Sequence, residues 1–253
     1  MLLSKKKLFS GISVGSWLQL PNVFSAEIMA RAGFDWLAID LEHGLIDLEK
    51  AYELIQVVEL AGIVPLVRLN ANDPSVIRRV MDAGSHGVIV PMVNSREDVI
   101  EAINAIKYPP EGKRSFGLGR AHGFGEGFKS YINKANSQSI LIIQIEHIEA
   151  VNNLEEILRI KGIDGIIIGP YDLSGSMGVP GRFNDEQFKN KIESIVLKVK
   201  KSNIALGIHI VEPSKEEYKK RIKHGFSFIA YGMDTIFSSN GARNCLKQIK
   251  KKK

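Results

Sequence analysis

Residues 33–44 read Gly33-Phe34-Asp35-Trp36-Leu37-Ala38-Ile39-Asp40-Leu41-Glu42-His43-Gly44. The stretch opens on a glycine, passes through the apolar run 36–41, and collects two carboxylates and a histidine at its far end. Apart from Asp40, the run has no polar alternate face. That pattern suits a strand buried on both sides, as in a parallel sheet covered by helices. Seven other runs follow the same plan: 14–18, 64–69, 87–91, 140–146, 165–169, 205–210 and 228–232.

The stretches between the runs carry helix punctuation. Asp73-Pro74 reads as an N-cap followed by proline at the first helical position. Ser95 with Asp98, and Ser214 with Glu217, have capping-box spacing. Gly33, Gly62, Gly84, Gly162 and Gly225 fall where helices should end, at positions that need positive φ. Strand and helix signals therefore alternate, which implies a parallel sheet with helical crossovers. Eight such units in 253 residues point to one α/β domain over 1–253, a (β/α)8 TIM barrel. An open doubly wound sheet is the alternative. It is disfavoured because no G-x-G-x-x-G loop follows the first run. The segment 108–139, with Pro109-Pro110 and several glycines, is too long for an ordinary connection. It is expected to be a loop insertion with a short helix near 131–136.

Composition narrows the function classes. The net charge of +6 gathers at the ends, in Lys5 to Lys7 and in the basic tail Lys250 to Lys253. No aromatic residues alternate with these lysines to form a stacking platform, so no nucleic-acid partner is expected. No apolar run approaches 18 residues, so no membrane span is expected, and no signal-peptide pattern is seen. Cys245 is the single cysteine. A cytoplasmic location is the expectation.

In a barrel, chemistry gathers at the C-terminal ends of the strands. Those ends carry Asp40, Glu42 and His43; Arg68 and Asn70; Gln144 and Glu146; and Tyr171 and Asp172. Burying such charges costs several kcal/mol unless they are paired or bound to a metal. Gln144 and Glu146 are two apart and share one strand face, the one pointing to the barrel axis. Glu146 and Asp172 come from adjacent strand ends and can meet. Two carboxylates held together need a proton or a cation between them, and hard oxygen donors with open positions favour Mg²⁺ or Mn²⁺. Each residue also has a plainer reading. Glu146 could pair with Arg68, Asp172 could cap a helix, and His43 could be a satisfied loop histidine.

The motifs Asp40-x-Glu42-His43, Val67-Arg68-Leu69-Asn70, Pro91-Met92-Val93, Tyr108-Pro109-Pro110, Gln144-x-Glu146 and Gly169-Pro170-x-Asp172-Leu173-Ser174 together resemble the HpcH/HpaI aldolase family. The resemblance runs from about Gly15 to Ala242. It implies a class II, divalent-metal-dependent lyase using Mg²⁺, Mn²⁺ or Co²⁺. Such an enzyme reversibly cleaves a 4-hydroxy-2-oxo acid to pyruvate and an aldehyde through a metal-stabilised enolate. It implies metal ligands at Glu146 and Asp172, a catalytic histidine at His43 with Asp82 as its carboxylate partner, and a keto-oxygen contact at Arg68. It further implies a pyruvate-pocket residue at Gln144 and a substrate-carboxylate cradle at the peptide N–H groups of Tyr171 and Asp172. It implies a homo-oligomer, a hexamer or trimer of dimers, with the last helix exchanged onto a neighbouring barrel. The alternatives are an acyl-CoA lyase of the same superfamily and a non-catalytic barrel that binds a small acid. The aldehyde is not legible. His209 and Arg120 are candidates to contact it, although a bystander role is the plainer expectation for both.

Overall fold

The eight apolar runs are eight parallel strands: β1 (Ser13–Leu18), β2 (Trp36–Asp40), β3 (Val64–Arg68), β4 (Gly87–Val90), β5 (Ile140–Ile145), β6 (Gly165–Ile168), β7 (Ala205–Ile210) and β8 (Phe228–Met233). Each pairs with the next, and β8 pairs with β1, so the sheet closes into a barrel with helices between successive strands. The computed structural model describes residues 5–250. Lys251 to Lys253 of the basic tail lie outside the described residues.

Helix starts and stops follow their local chemistry. Asp73 accepts from the Ser75 N–H ahead of Pro74. Ser95 and Asp98 form the full reciprocal capping box. Ser214 accepts from the Glu217 N–H, while its own hydroxyl turns to Glu216. The helix-ending glycines take the left-handed conformation, with φ of 94° at Gly33 and 113° at Gly162. A β-carbon would strain that backbone.

The strand parity sorts the core into two shells. Leu37, Ile39, Val67, Ile143 and Ile145 face outward into the helix layer. Trp36, Ala38, Val64, Leu66, Ile140, Ile142, Ile167 and Phe228 fill the barrel interior. The N-terminal end of the interior is filled with rings. Trp36 stacks on Phe228 with centroids 4.2 Å apart, and Phe9 also stacks on Phe228, at 5.8 Å. The same parity carries upward to Trp17, Asp40, Arg68, Gln144 and His209, so polar groups gather at the C-terminal end.

The 108–139 segment holds more structure than one short helix. A 3-10 turn (Arg120–Gly125) precedes a full helix, Phe128–Gln138. The turn is bent by positive φ at Gly123 and Phe124. The segment lies against the N-terminal end of the barrel, where a cleft of about 1190 Å³ is lined by His86, Arg120, His122, Tyr131 and Ile140 among others.

Candidate active site

A pocket of about 370 Å³ opens at the C-terminal end of the barrel, lined by Trp17, Gln19, His43, Arg68, Gln144, Gly169, Tyr171, Asp172 and His209 among others. Its floor is built on Asp40. The β2–β3 register sets Asp40 opposite Arg68. The Arg68 guanidinium donates from Nε to Oδ1 at 2.8 Å and from Nη2 to Oδ2 at 2.6 Å. Gln19 Nε2 donates to Oδ2 at 3.0 Å, and the peptide N–H groups of Glu42 and His43 donate to Oδ1 at 3.0 and 3.2 Å. Asp40 is fully buried. Burial pushes its carboxyl up, but Arg68, Gln19 and the His43 N–H outweigh it and hold the group below the ordinary value of 3.8. The turn that presents His43 is thus tied to the carboxylate that orients Arg68.

Arg68 has two further contacts. Its guanidinium carbon lies 4.4 Å from the centre of the Trp17 ring, and Nη1 lies 3.1 Å from Glu42 Oε2. Stacked and forked on both sides, the guanidinium is fixed in place, which suits Arg better than Lys. Burial raises the Glu42 carboxyl; Arg68 opposes this, and the charges of Glu146 and Asp40 add to it. Gln19 is anchored in turn by Asp234, whose two oxygens accept from the N–H groups of Gln19 and Leu20 at 3.0 Å.

Glu146 is 3% exposed. It accepts from the Met92 N–H at 2.7 Å and from the Gln144 side-chain amide. The pairing with Arg68 does not occur, because Arg68 is held by Asp40 and Glu42. No ion pair neutralises Glu146 among the described residues, and a buried lone anion costs several kcal/mol. At Gly169 an added β-carbon would fall 2.8 Å from Glu146 Oε2. The absent side chain is what lets β6 pass so close to the carboxylate. Asp172 does not cap the helix Pro170–Ser176; Gly169 holds that position. No side chain caps this helix, so its first peptide N–H groups, among them those of Tyr171 and Asp172, find no use within it. Glu146 and Asp172 carry hard oxygen donors of the kind that Mg²⁺ or Mn²⁺ takes. Among the described residues no group of three or more His, Cys, Asp or Glu is placed to hold a metal ion.

One expected site residue is elsewhere. Asp82 ends the helix Pro74–Asp82, at the opposite end of the barrel from His43. Its Oδ1 accepts from Arg114 Nη2 at 2.6 Å, and Gly117 and Gly119 close over it. Within one chain, therefore, Asp82 does not orient His43. The helix that carries it runs from the C-terminal end of β3 back to the N-terminal end of β4, so its last residue is at the far face. Arg120 also lies there, 2.5 Å from Glu59 through Nη2. Conversely, Asp40, Gln19, Trp17 and Gly169 belong to the site although spacing alone gave them no role. For Asp40 the signal was strand parity: it shares a face with Trp36 and Ala38 and faces Arg68 on the next strand.

The family model described as HpcH/HpaI aldolase/citrate lyase matches residues 13–240. The chain is 37% identical over 231 residues to a 4-hydroxy-2-oxo-heptane-1,7-dioate aldolase of Escherichia coli, covering 90% of this chain and 87% of that protein. An HpcH/HpaI aldolase/citrate lyase family protein from Burkholderia cenocepacia J2315 superposes with a TM-score of 0.92 at 27% identity, covering 97% of this chain and 98% of that one. An HpcH/HpaI aldolase from Desulfitobacterium hafniense DCB-2 gives 0.91 at 27% identity, covering 100% and 98%.

Proposed function

This chain belongs to the HpcH/HpaI aldolase/citrate lyase family, and from that membership we propose that it is a class II aldolase cleaving a 4-hydroxy-2-oxo acid to pyruvate and an aldehyde at the C-terminal end of the barrel. The observation that carries the reading is the buried Glu146, hydrogen-bonded to the pocket-lining Gln144 and without an ion pair among the described residues, together with a fixed Arg68, His43 and Asp172 in the same pocket wall. Glu146 and Asp172 would hold a divalent cation, Mg²⁺ or Mn²⁺. Bound there, such an ion acts as a Lewis acid toward a keto group.

The chain's own residues do the rest. Arg68 places a positive charge where negative charge develops on the keto oxygen, and its contacts with Asp40 and Trp17 mean that no reorganisation is needed at that moment. The peptide N–H groups of Tyr171 and Asp172 receive the substrate carboxylate, and Gln144 borders the same space. His43 takes and returns the proton. No lysine lines the pocket, so there is no amine for a Schiff base. The acyl-CoA lyase and non-catalytic readings find no specific observation in their favour.

We also infer a homo-oligomer. Residues 241–249 of the last helix (Asp234–Ile249) are all exposed, including Leu246 and Ile249 at 47% and 77%. Packing onto a neighbouring barrel would cover them. A second copy is also the means by which an Asp82 could reach His43. The single exposed thiol, Cys245, fits a reducing, cytoplasmic setting.

The test is pyruvate release from a panel of 4-hydroxy-2-oxo acids, read by coupling to lactate dehydrogenase. Release with Mg²⁺ or Mn²⁺, its loss with EDTA, and no borohydride-trapped adduct with pyruvate are expected. A trapped adduct, or full activity after chelation, would refute the reading.

A further inference from the structure

His209 sits on the inner face of β7 near its C-terminal end, part of the pocket wall with Trp17, Arg68 and Asp172. Two contacts define its state. Nε2 lies 3.1 Å from the Gly232 carbonyl oxygen. A carbonyl only accepts, so Nε2 carries the proton and donates. The ring packs tilted against Trp17 with centroids 5.5 Å apart, which fixes its plane. The neutral ring then presents Nδ1 as a bare acceptor, with no hydrogen-bond partner among the described residues, while the side chain stays partly exposed to the pocket. Burial lowers the pKa of the ring to about 4; the Arg68 charge adds to this, while the Gly232 carbonyl and Asp40 oppose it.

We propose that His209 is a specificity-determining residue whose Nδ1 accepts a hydrogen bond from a substrate hydroxyl, so that this site favours hydroxylated reactants. The inference rests on the aldolase reading and names its substrate class. A cationic imidazole would instead attract a second carboxylate, but the ring is neutral at physiological pH. The one guanidinium in the pocket wall, Arg68, is committed to Asp40 and Glu42. Among the residues lining the pocket, no free cation awaits the distal carboxylate of a dicarboxylic aldol. A polar acceptor in a pocket discriminates best against an analogue that leaves it unpaired. The hydroxyl can come from either reactant: from C3 of a 3-hydroxy-2-oxo acid, or from C2 of the aldehyde.

The test uses two arms of matched pairs with the metal-loaded enzyme. One compares hydroxypyruvate with pyruvate, both with the same aldehyde. The other compares glycolaldehyde with acetaldehyde, both with pyruvate. The readout is the ratio of kcat/KM, hydroxylated over plain. The wild type should favour the hydroxylated member by about three- to tenfold, as one neutral hydrogen bond allows, in the arm that supplies the hydroxyl. In His209→Leu that ratio should fall to near one, whatever happens to the absolute rates. In His209→Asn, whose amide oxygen stands near the place of Nδ1, part of the ratio should return. A ratio unchanged in His209→Leu, or no preference in either arm of the wild type, overturns the proposal while leaving the aldolase reading intact. No carbon–carbon bond formation with any pair overturns the aldolase reading itself, and this proposal with it.

Discussion

Arg68 and Arg114 are nearly the same construction at opposite ends of one barrel. Each donates to a carboxylate at 2.6 Å, Asp40 for one and Asp82 for the other. Each lies on an aromatic ring, 4.4 Å from Trp17 and 4.5 Å from Tyr108. They differ in what lies beyond. The Arg68 side chain keeps 11% of its surface open and borders the pocket, whereas the Arg114 side chain is sealed at 0%. A paired, stacked arginine is therefore not a sign of chemistry by itself; the end of the barrel that it occupies decides. Cavity size misleads in the same way. The N-terminal cleft, at about 1190 Å³, exceeds the C-terminal pocket of about 370 Å³, yet it is the pocket that Arg68, His43, Gln144 and Asp172 line at the strand ends.

The comparison can be broken by substitution at each end. Glu146→Gln removes the charge that a cation needs, and should lower kcat about 10³-fold or more with little change in melting temperature, a loss of the size expected when metal assistance is removed. Arg68→Lys keeps the charge but loses the fork on Asp40. It should lower kcat/KM about 10²-fold, as for loss of an oxyanion donor. Arg114→Met should do the reverse. Stability should drop by about 2–3 kcal/mol, as for a broken buried pair with cation–π loss, seen as a lower urea midpoint. The kcat per folded active site should change far less than in Arg68→Lys. Equal effects on activity from both arginines would end the distinction drawn between the two faces.

The smallest expected effect is a pH dependence. The pKa of His209 falls from 6.5 to about 4 on folding. Above pH 6.5 the ring is neutral in both states and costs nothing. As pH falls toward 4 the unfolded chain takes up the proton first, so stability declines through that window, by on the order of 1–3 kcal/mol. Denaturant unfolding of His209→Leu from pH 7 to pH 4 should show a shallower decline than the wild type. Parallel declines would mean that the ring is not held neutral.

Much of this was legible from residues alone. The runs gave all eight strands with boundaries off by about one residue, because strands buried on both faces have no polar alternation to confuse. The parity of Gln144 and Glu146 placed both inside the barrel, and they share a hydrogen bond there. Other features depend on distance in three dimensions. Asp40 gains its role from the register that sets it opposite Arg68. Gly169 matters through a carboxylate on the neighbouring strand. The glycines of 117–127 erase the helical period, so the 3-10 turn ahead of the helix left no signal. Asp82 was placed by resemblance, and resemblance does not say which copy of a chain a side chain serves.

Proton–deuterium exchange at C3 of pyruvate, followed by proton NMR in D₂O without any aldehyde, tests the central claim most directly. Exchange above the buffer rate with Mg²⁺ or Mn²⁺, lost on adding EDTA and in Glu146→Gln, is the predicted result. Exchange that survives chelation, or none in the metal-loaded wild type, would contradict it.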